Sequence, residues 1–230
     1  MRIFENIDNM QGMEKYKDIL LSRNTLAIVD PPYGIGEHGG KYRGRKADNY
    51  NRIVIHEKKN WDKEKPGVEY FNELFRVSKN QVIWGGNYFT NNLPVRMGWI
   101  YWDKRIGGDF SDGELAWTSF NRALRQFTYS YHGDTKGGHL RIHPTQKPVP
   151  LYLWILQNYA QKGDLILDTH VGSASSLIAC EKLGFDYIGF ELDKDYYDAA
   201  VKRINDYRSQ PDLFLDKDEP IKPEQLKIDL

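Results

Sequence analysis

The stretch 164–192, "DLILDTHVGSASSLIACEKLGFDYIGFEL", decides the fold. Residues 164–168 form an apolar run that reads as a buried strand. A tight turn follows at Gly172, and 173–184 read as a helix closed by Gly184, where a left-handed cap belongs. Residues 186–192 are again apolar and aromatic, a second strand. The alternation continues on either side. "VPLYLWILQNYAQKG" (149–163) predicts an amphipathic helix with Gly163 as its C-cap, and "KDYYDAAVKRINDYRS" (194–209) one whose basic residues fall late, as the helix dipole favours. Upstream, "TLAIVD" (25–30) and "NQVIWGG" (80–86) predict strands stopped by prolines or glycines, and "EYFNELFRVS" (69–78) a helix. "GWIYWD" (98–103) and "RQFTYSY" (125–131) are aromatic and β-branched and predict strands. Together these predict an α/β fold, a mostly parallel sheet with helices on both faces. Ligands of such sheets bind beyond the carboxyl ends of the strands, where the polar motifs of this chain fall.

A chain of 230 residues suits a single domain, 1–230, with two excursions. Residues 34–66 hold many glycines and nine Lys/Arg and predict a long mobile loop. Residues at about 104–142 are rich in polar and turn residues and predict a small insert. The last 20 residues are charged and interrupted by proline, a loose tail. Lys+Arg and Asp+Glu are both 32, so any nucleic-acid contact must come from local patches rather than global charge. The single cysteine, Cys180, lies on an apolar helix face and excludes an intrachain disulfide framework. No apolar stretch approaches the roughly 20 residues of a membrane span, and the N-terminus lacks a signal-peptide core. A soluble cytoplasmic protein is the expectation.

Three motifs carry chemistry. In "IVDPPYG" (28–34) Pro31 and Pro32 end regular structure, so Asp30 should stand at a strand tip before a stiff loop bearing the Tyr33 ring. The plain reading is a turn capped by Asp30. The chemical one is a grip on something flat: Asp30 and the Pro31 carbonyl could accept the two N–H groups of an exocyclic amine while Tyr33 stacks on the base. In "LILDTHVGSASS" the glycine turn and small residues let a ligand approach a helix N-terminus, and Glu191, 23 residues after Asp168, stands where a carboxylate accepts both ribose hydroxyls of an adenosine-type cofactor. An ordinary strand-to-helix connection is the alternative. In "HPTQKP" (143–148) two prolines fix the pose of Thr145, Gln146 and Lys147. His132, His139 and His143 lack metal-ligand spacing, and no metal is expected.

The motifs "DPPYG" at 30–34, "HPTQKP" at 143–148, "DTHVGSASS" at 168–176 and "FELDKDYY" at 190–197, in that order, closely resemble the amino-methylating (N6-adenine / N4-cytosine) DNA methyltransferases of the β permutation class. "WGGNYF" (84–89) and "DGELAWTSF" (112–120) resemble a compact, phage-type branch of them. The resemblance spans residues 25 to about 207. It implies a Rossmann-like S-adenosylmethionine-dependent methyltransferase fold with circularly permuted motif order. It implies S-adenosylmethionine as cofactor, S-adenosylhomocysteine as product, and methyl transfer to adenine N6 in double-stranded DNA by base flipping and direct displacement. Asp30, Pro31, Pro32 and Tyr33 match the catalytic motif. Asp168, Thr169, His170, Gly172, Ser173 and Ser175 match the cofactor turn, Glu191 with Leu192 the ribose-binding acid and its neighbour. Thr145, Gln146 and Lys147 match the motif closing over the methionine end, which Asp30 also borders. Two positions depart from the family's D-P-F-x-G-S-G-T turn: His170 stands for the aromatic, and Ala174 for a glycine. An alanine there is tolerated only if its φ is negative. Lys41, Arg43, Arg45, Lys46 and Arg52 in the basic loop, and Lys104, Arg105, Arg122 and Arg125 in the insert, are the candidate DNA contacts, with a short recognition sequence or relaxed specificity expected. Competing readings are cytosine N4, an RNA or protein amine, and a DNA-binding relative without turnover. Many relatives of this class form homodimers, and the sequence does not say whether a cognate nuclease exists.

Overall fold

The computed structural model describes residues 1–36, 62–106, 111–130 and 142–209. Eight strands form one sheet: β1 (Arg2–Asn6), β2 (Thr25–Val29), β3 (Asn80–Trp84), β4 (Trp99–Asp103), β5 (Gly113–Thr118), β6 (Arg125–Thr128), β7 (Leu165–Asp168) and β8 (Asp186–Glu191). Their order is β1-β8-β7-β2-β3-β5-β4-β6. All pairs are parallel except those of β5, which runs antiparallel to β3 and β4. Six helices cover it: α1 (Asn9–Lys15), α2 (Lys17–Ser22), α3 (Val68–Val77), α4 (Val149–Tyr159), α5 (Ser175–Leu183) and α6 (Lys194–Arg208).

All five residues of β2 are buried, so the strand reads as an unbroken apolar run rather than an alternating one. Its period of two still sorts the side chains. Leu26 and Ile28 face a core with Val82, Trp84, Ile166 and the helices α4, α5 and α6, including Leu151, Ile155, Leu177 and Ala200. Ala27 and Val29 face a second core with Ile83, Leu167, Phe190 and the helices α1, α2 and α3, including Met13, Leu20, Phe71 and Leu74. Burying both faces is what makes a chain of this size stable without disulfides. Cys180 is buried and free, and burial pushes its thiol well above the usual range.

The insert expected at about 104–142 is in part sheet. β5 fills the gap between β3 and β4, and β6 forms the far edge beside β4. Four residues, Ala116, Trp117, Thr118 and Trp102, are fully buried there. The composition concealed β5 because its first half, Gly113 to Leu115, is only partly buried and includes Glu114. Gly163 is not the cap of α4. That helix ends at Ala160, whose ψ of 153° is extended, and Gly163, at φ +94°, makes a separate turn into β7 in which Asp164 N donates to Gln161 O (3.0 Å). Most of the expected loop at 34–66 lies outside the described residues. Its two ends meet, since Gly34 N donates to Asp62 Oδ1 (2.8 Å) and Gly36 N to Asp62 O (3.3 Å). No helix among the described residues is long and apolar enough to cross a membrane.

Candidate active site

Because β1, β8, β7, β2 and β3 are parallel, their carboxyl ends share one edge of the sheet. Asn6, Glu191, Asp168, Asp30 and Gly85 therefore lie along that edge. A cleft of about 700 Å³ opens there, lined among others by Asp30, Lys147, Tyr70, His170 and Glu191. That volume suits a ligand of nucleoside size.

One end is built by the glycine turn between β7 and α5. Gly172 takes φ +53°, which a side chain would strain, and its amide donates to Glu191 Oε2 (2.8 Å). Asp193 N donates to Glu191 Oε1 (2.9 Å). Each carboxylate oxygen keeps a second lone pair, so Glu191 can still accept two hydroxyls. Burial raises its pKa, against the pull of the backbone amides of Asp193, Gly172 and Leu192. Asp168 is buried beneath the turn and accepts from His170 N (3.0 Å) and the Ser176 hydroxyl. Burial outweighs these bonds and pushes its carboxyl up to about 7. His170 is held by Asn9, whose Nδ2 lies 3.0 Å from Nε2. That leaves the ring proton on Nδ1, 2.9 Å from Thr169 Oγ1, which in turn lies 2.7 Å from the Tyr70 hydroxyl. Burial lowers the His170 pKa to about 4, so the ring is neutral at pH 7.

The other end is a charged network. Lys147 Nζ lies 2.5 Å from Asp30 Oδ2 and 3.0 Å from Glu114 Oε2. Glu114 Oε1 also pairs with Lys104 Nζ (2.6 Å). The Tyr33 hydroxyl donates to Asp30 Oδ1 (2.7 Å). Burial raises the Asp30 carboxyl, as does Glu114, against the attraction of Lys147. For Glu114 burial acts in the same sense, but two lysines overcome it and hold the carboxyl at about 2. Burial lowers the Lys147 pKa, but Asp30 and Glu114 outweigh it and raise it above the usual lysine range.

The structure gathers most of the residues expected at the site. Asp30, Pro32, Thr145, Gln146, Lys147, Thr169, His170, Gly172, Ser173, Glu191 and Leu192 all line the cleft. Others act at one remove. Ser175 is buried and turned to Arg203 Nη1 (2.9 Å) and Ser173 Oγ (3.2 Å), so it braces the turn instead of facing a ligand. Asp168 likewise holds the turn from beneath. Tyr33 stacks on Tyr88, ring centroids 4.9 Å apart at 15°, so this face is taken by a neighbouring ring rather than held open for a base. Ala174 has φ +61°, against the expectation of a negative value. Backbone bonds from Ala174 N to Val171 O and from Ile178 N to Ala174 O (3.0 Å each) hold it there.

Of the candidate DNA contacts in the insert, two make internal bonds and two are exposed. Lys104 pairs with Glu114 (2.6 Å) and sits over the Trp102 ring (5.5 Å). Arg122 donates to Asn158 O (2.6 Å) and lies over Tyr159 (5.0 Å), pinning β6's approach to α4. Arg105 is exposed, 3.4 Å from Asp103, and Arg125 is exposed at the start of β6. Lys41, Arg43, Arg45, Lys46 and Arg52, with His132 and His139, lie outside the described residues. No cluster of metal-ligating side chains occurs among the described residues. Sequence reasoning missed Glu114, Asn9 and Tyr70. The nearest signal was the acid inside "DGELAWTSF"; the other two carry none, because distant elements deliver them.

Residues 79–202 match the N6/N4 methyltransferase model, described as DNA methylase. The type II methyltransferase M.HpaI of Haemophilus parainfluenzae is 36% identical over 227 residues, covering 78% of this chain and 68% of the relative. M2.DpnII of Streptococcus pneumoniae is 26% identical over 196 residues, covering 85% and 66%. M2.LlaDCHI of Lactococcus lactis subsp. cremoris is 26% identical over 145 residues, and this chain covers 49% of it. The chain thus spans about half of the length of M2.LlaDCHI and about two thirds of that of M2.DpnII. The fold is shared with a solved complex of M1.HpyAVI with SAM (TM-score 0.62, 20% identity, 89% of this chain and 100% of that one). It is shared too with the cytosine-N4-specific PvuII DNA methyltransferase (0.54, 14%, 89% and 90%). The α/β sheet is accordingly the Rossmann-like fold of S-adenosylmethionine-dependent methyltransferases. With more than half of its length matched by one family model, the chain belongs to the N6/N4 family of DNA methylases.

Proposed function

We propose that the chain transfers a methyl group from S-adenosylmethionine to the exocyclic N6 amine of adenine at specific sites in double-stranded DNA. The observation that carries this reading is that Asp30 and Glu191, the two carboxylates the chemistry needs, line one cleft. The residues present fit the donor. Glu191 retains lone pairs for the ribose hydroxyls, and His170, neutral at pH 7, adds no positive charge beside the glycine turn. When bound, S-adenosylmethionine would supply a methyl group on a sulfonium sulfur: sulfur would keep the electron pair of the broken C–S bond, the amine nitrogen would take the methyl, and the proton it gives up would pass by way of Asp30 to solvent.

The chain's own residues do the rest. The amine lone pair of adenine is delocalised into the ring. Asp30 and the Pro31 carbonyl, by accepting its two N–H bonds, direct that lone pair outward. The amine is inaccessible inside a duplex, so the base must leave the stack to reach Asp30. Thr145 and Gln146, fixed between prolines, border the same cleft and position the two reactants, which is an orientation effect. Adenine is favoured over cytosine because an acid stands at residue 30 where cytosine-N4 relatives more often carry serine.

Labelled S-adenosylmethionine with unmodified mixed-sequence duplex DNA tests the reading, followed by nucleoside mass spectrometry. N6-methyladenine, absent with Asp30→Ala although the variant still binds S-adenosylmethionine, is the expected result. N4-methylcytosine would replace the base assignment, and the absence of transfer to DNA would reject the reading.

A further inference from the structure

We propose that Glu114 is a positioning residue for methyl transfer: it takes the Lys147 ammonium over from Asp30 when Asp30 turns to the target amine. The inference rests on the methyltransferase reading above. Both oxygens of Asp30 are engaged in this structure, Oδ1 by the Tyr33 hydroxyl and Oδ2 by Lys147. An amine N–H therefore meets a carboxylate whose charge is already drawn toward an ammonium. For Asp30 to act as a full acceptor, Lys147 must have somewhere else to go.

Glu114 is the only other carboxylate paired with Lys147 among the described residues. Lys147 Nζ is 2.5 Å from Asp30 and 3.0 Å from Glu114, so the handover needs a shift of the ammonium, not of the backbone. The Lys147 side chain is 2% exposed and lies over the rings of Trp84 (5.2 Å) and Tyr33 (5.7 Å). So little of it reaches solvent that a carboxylate must balance it, since an uncompensated buried ammonium is strongly unfavourable. Glu114 itself is anchored from the far side by Lys104, and its strand places it opposite Trp102 in the sheet. Tyr33 links the two carboxylates, its hydroxyl 2.7 Å from Asp30 and 3.4 Å from Glu114. The network of two carboxylates and two ammoniums is neutral as a whole. Removing the charge of Glu114 leaves Lys147 bound to Asp30 alone.

A simpler role for Glu114 is to balance Lys104, and two variants separate the readings. Transfer to duplex DNA is measured for the wild type, Glu114→Gln, and Glu114→Gln/Lys104→Gln, with S-adenosylmethionine affinity measured by calorimetry. Glu114→Gln should lower kcat by about tenfold or more while KM for DNA and the Kd for S-adenosylmethionine stay within about twofold. The double variant has a neutral network again and should remain as slow. Recovery of kcat in the double variant would overturn the proposal, because charge balance would then be the whole role. Unchanged kcat in Glu114→Gln would overturn it as well. If Glu114→Gln does not fold, the double variant decides alone. A wild type that transfers nothing to DNA refutes the underlying reading instead, and that arm is read separately.

Discussion

Replacing Ala174 by glycine tests the turn between β7 and α5 that lines one part of the cleft. Ala174 sits at φ +61°, ψ 22°, with its side chain fully buried. A left-handed conformation costs an L-residue roughly 1–2 kcal/mol, which glycine does not incur. Against that relief, Ala174→Gly loses one buried methyl, about 0.8 kcal/mol, and gives the unfolded chain more freedom, about 0.5–1 kcal/mol. These contributions nearly cancel, so the variant should match the wild type within about 0.8 kcal/mol. If Ala174 instead had a negative φ, nothing would offset the losses, and about 1.5 kcal/mol of stability would disappear. Urea denaturation followed by tryptophan fluorescence resolves the two cases. With a slope of about 3 kcal/mol per molar, the second predicts a midpoint drop of about 0.5 M. A drop of that size would refute the left-handed assignment. Ala174→Val is the complementary control: a β-branched residue in this backbone and this packed position should lose roughly 3 kcal/mol or more.

Three further outcomes are expected. Gly85→Ala would set a Cβ 2.1 Å from Tyr33 Cε1 at a φ of +68°, so the ring must leave Asp30; melting and transfer assays should show a stability loss of about 2 kcal/mol or more together with a fall in kcat. Arg122→Ala should cost about 1 kcal/mol of stability, while the salt dependence of DNA binding, read by titration at several ionic strengths, stays that of the wild type. Asp168, with its folded pKa raised to about 7 from 3.8, contributes stability that is complete below about pH 4 and lost as the pH rises to about 7. Asp168→Asn should therefore gain on the wild type across that window, by at most about 4 kcal/mol at about 1.4 kcal/mol per unit; denaturation at pH 4, 5.5 and 7 checks the sign, and a difference independent of pH would refute it.

The elements easiest to read were those whose signals are local. β2, β3, β7 and β8 are apolar runs stopped by proline, glycine or an acid, and α5 ends on Gly184 at φ +73° as its sequence says. β1, α1 and α2 escaped notice because they are short and acquire their meaning from β8 and α3, which lie far along the chain. The acids of the site were legible because each ends a strand before a turn. Their partners were not. Glu114 sits in a half-polar strand, and nothing in "DGELAWTSF" says that the strand is slotted between β3 and β4 with its first residues at the reactive edge. The internal bonds of Lys104 and Arg122 were hidden for the same reason: a basic residue in a polar stretch looks free until its distant carboxylate or carbonyl is known.

The strand order also fixes when the cleft can exist. Asp30 and Lys147 are 117 residues apart in sequence, and Asn9 and His170 are 161 apart. On the ribosome, β2 finds β3 early, but its other edge waits for β7, and β1 has no sheet neighbour until β8 is made. At about 5–20 residues per second, roughly 8–30 s pass between the synthesis of Asp30 and that of Glu191. During that interval an apolar strand stands with one edge open, the nascent chain lacks the cleft, and an interrupted product is a substrate for chaperones or proteases.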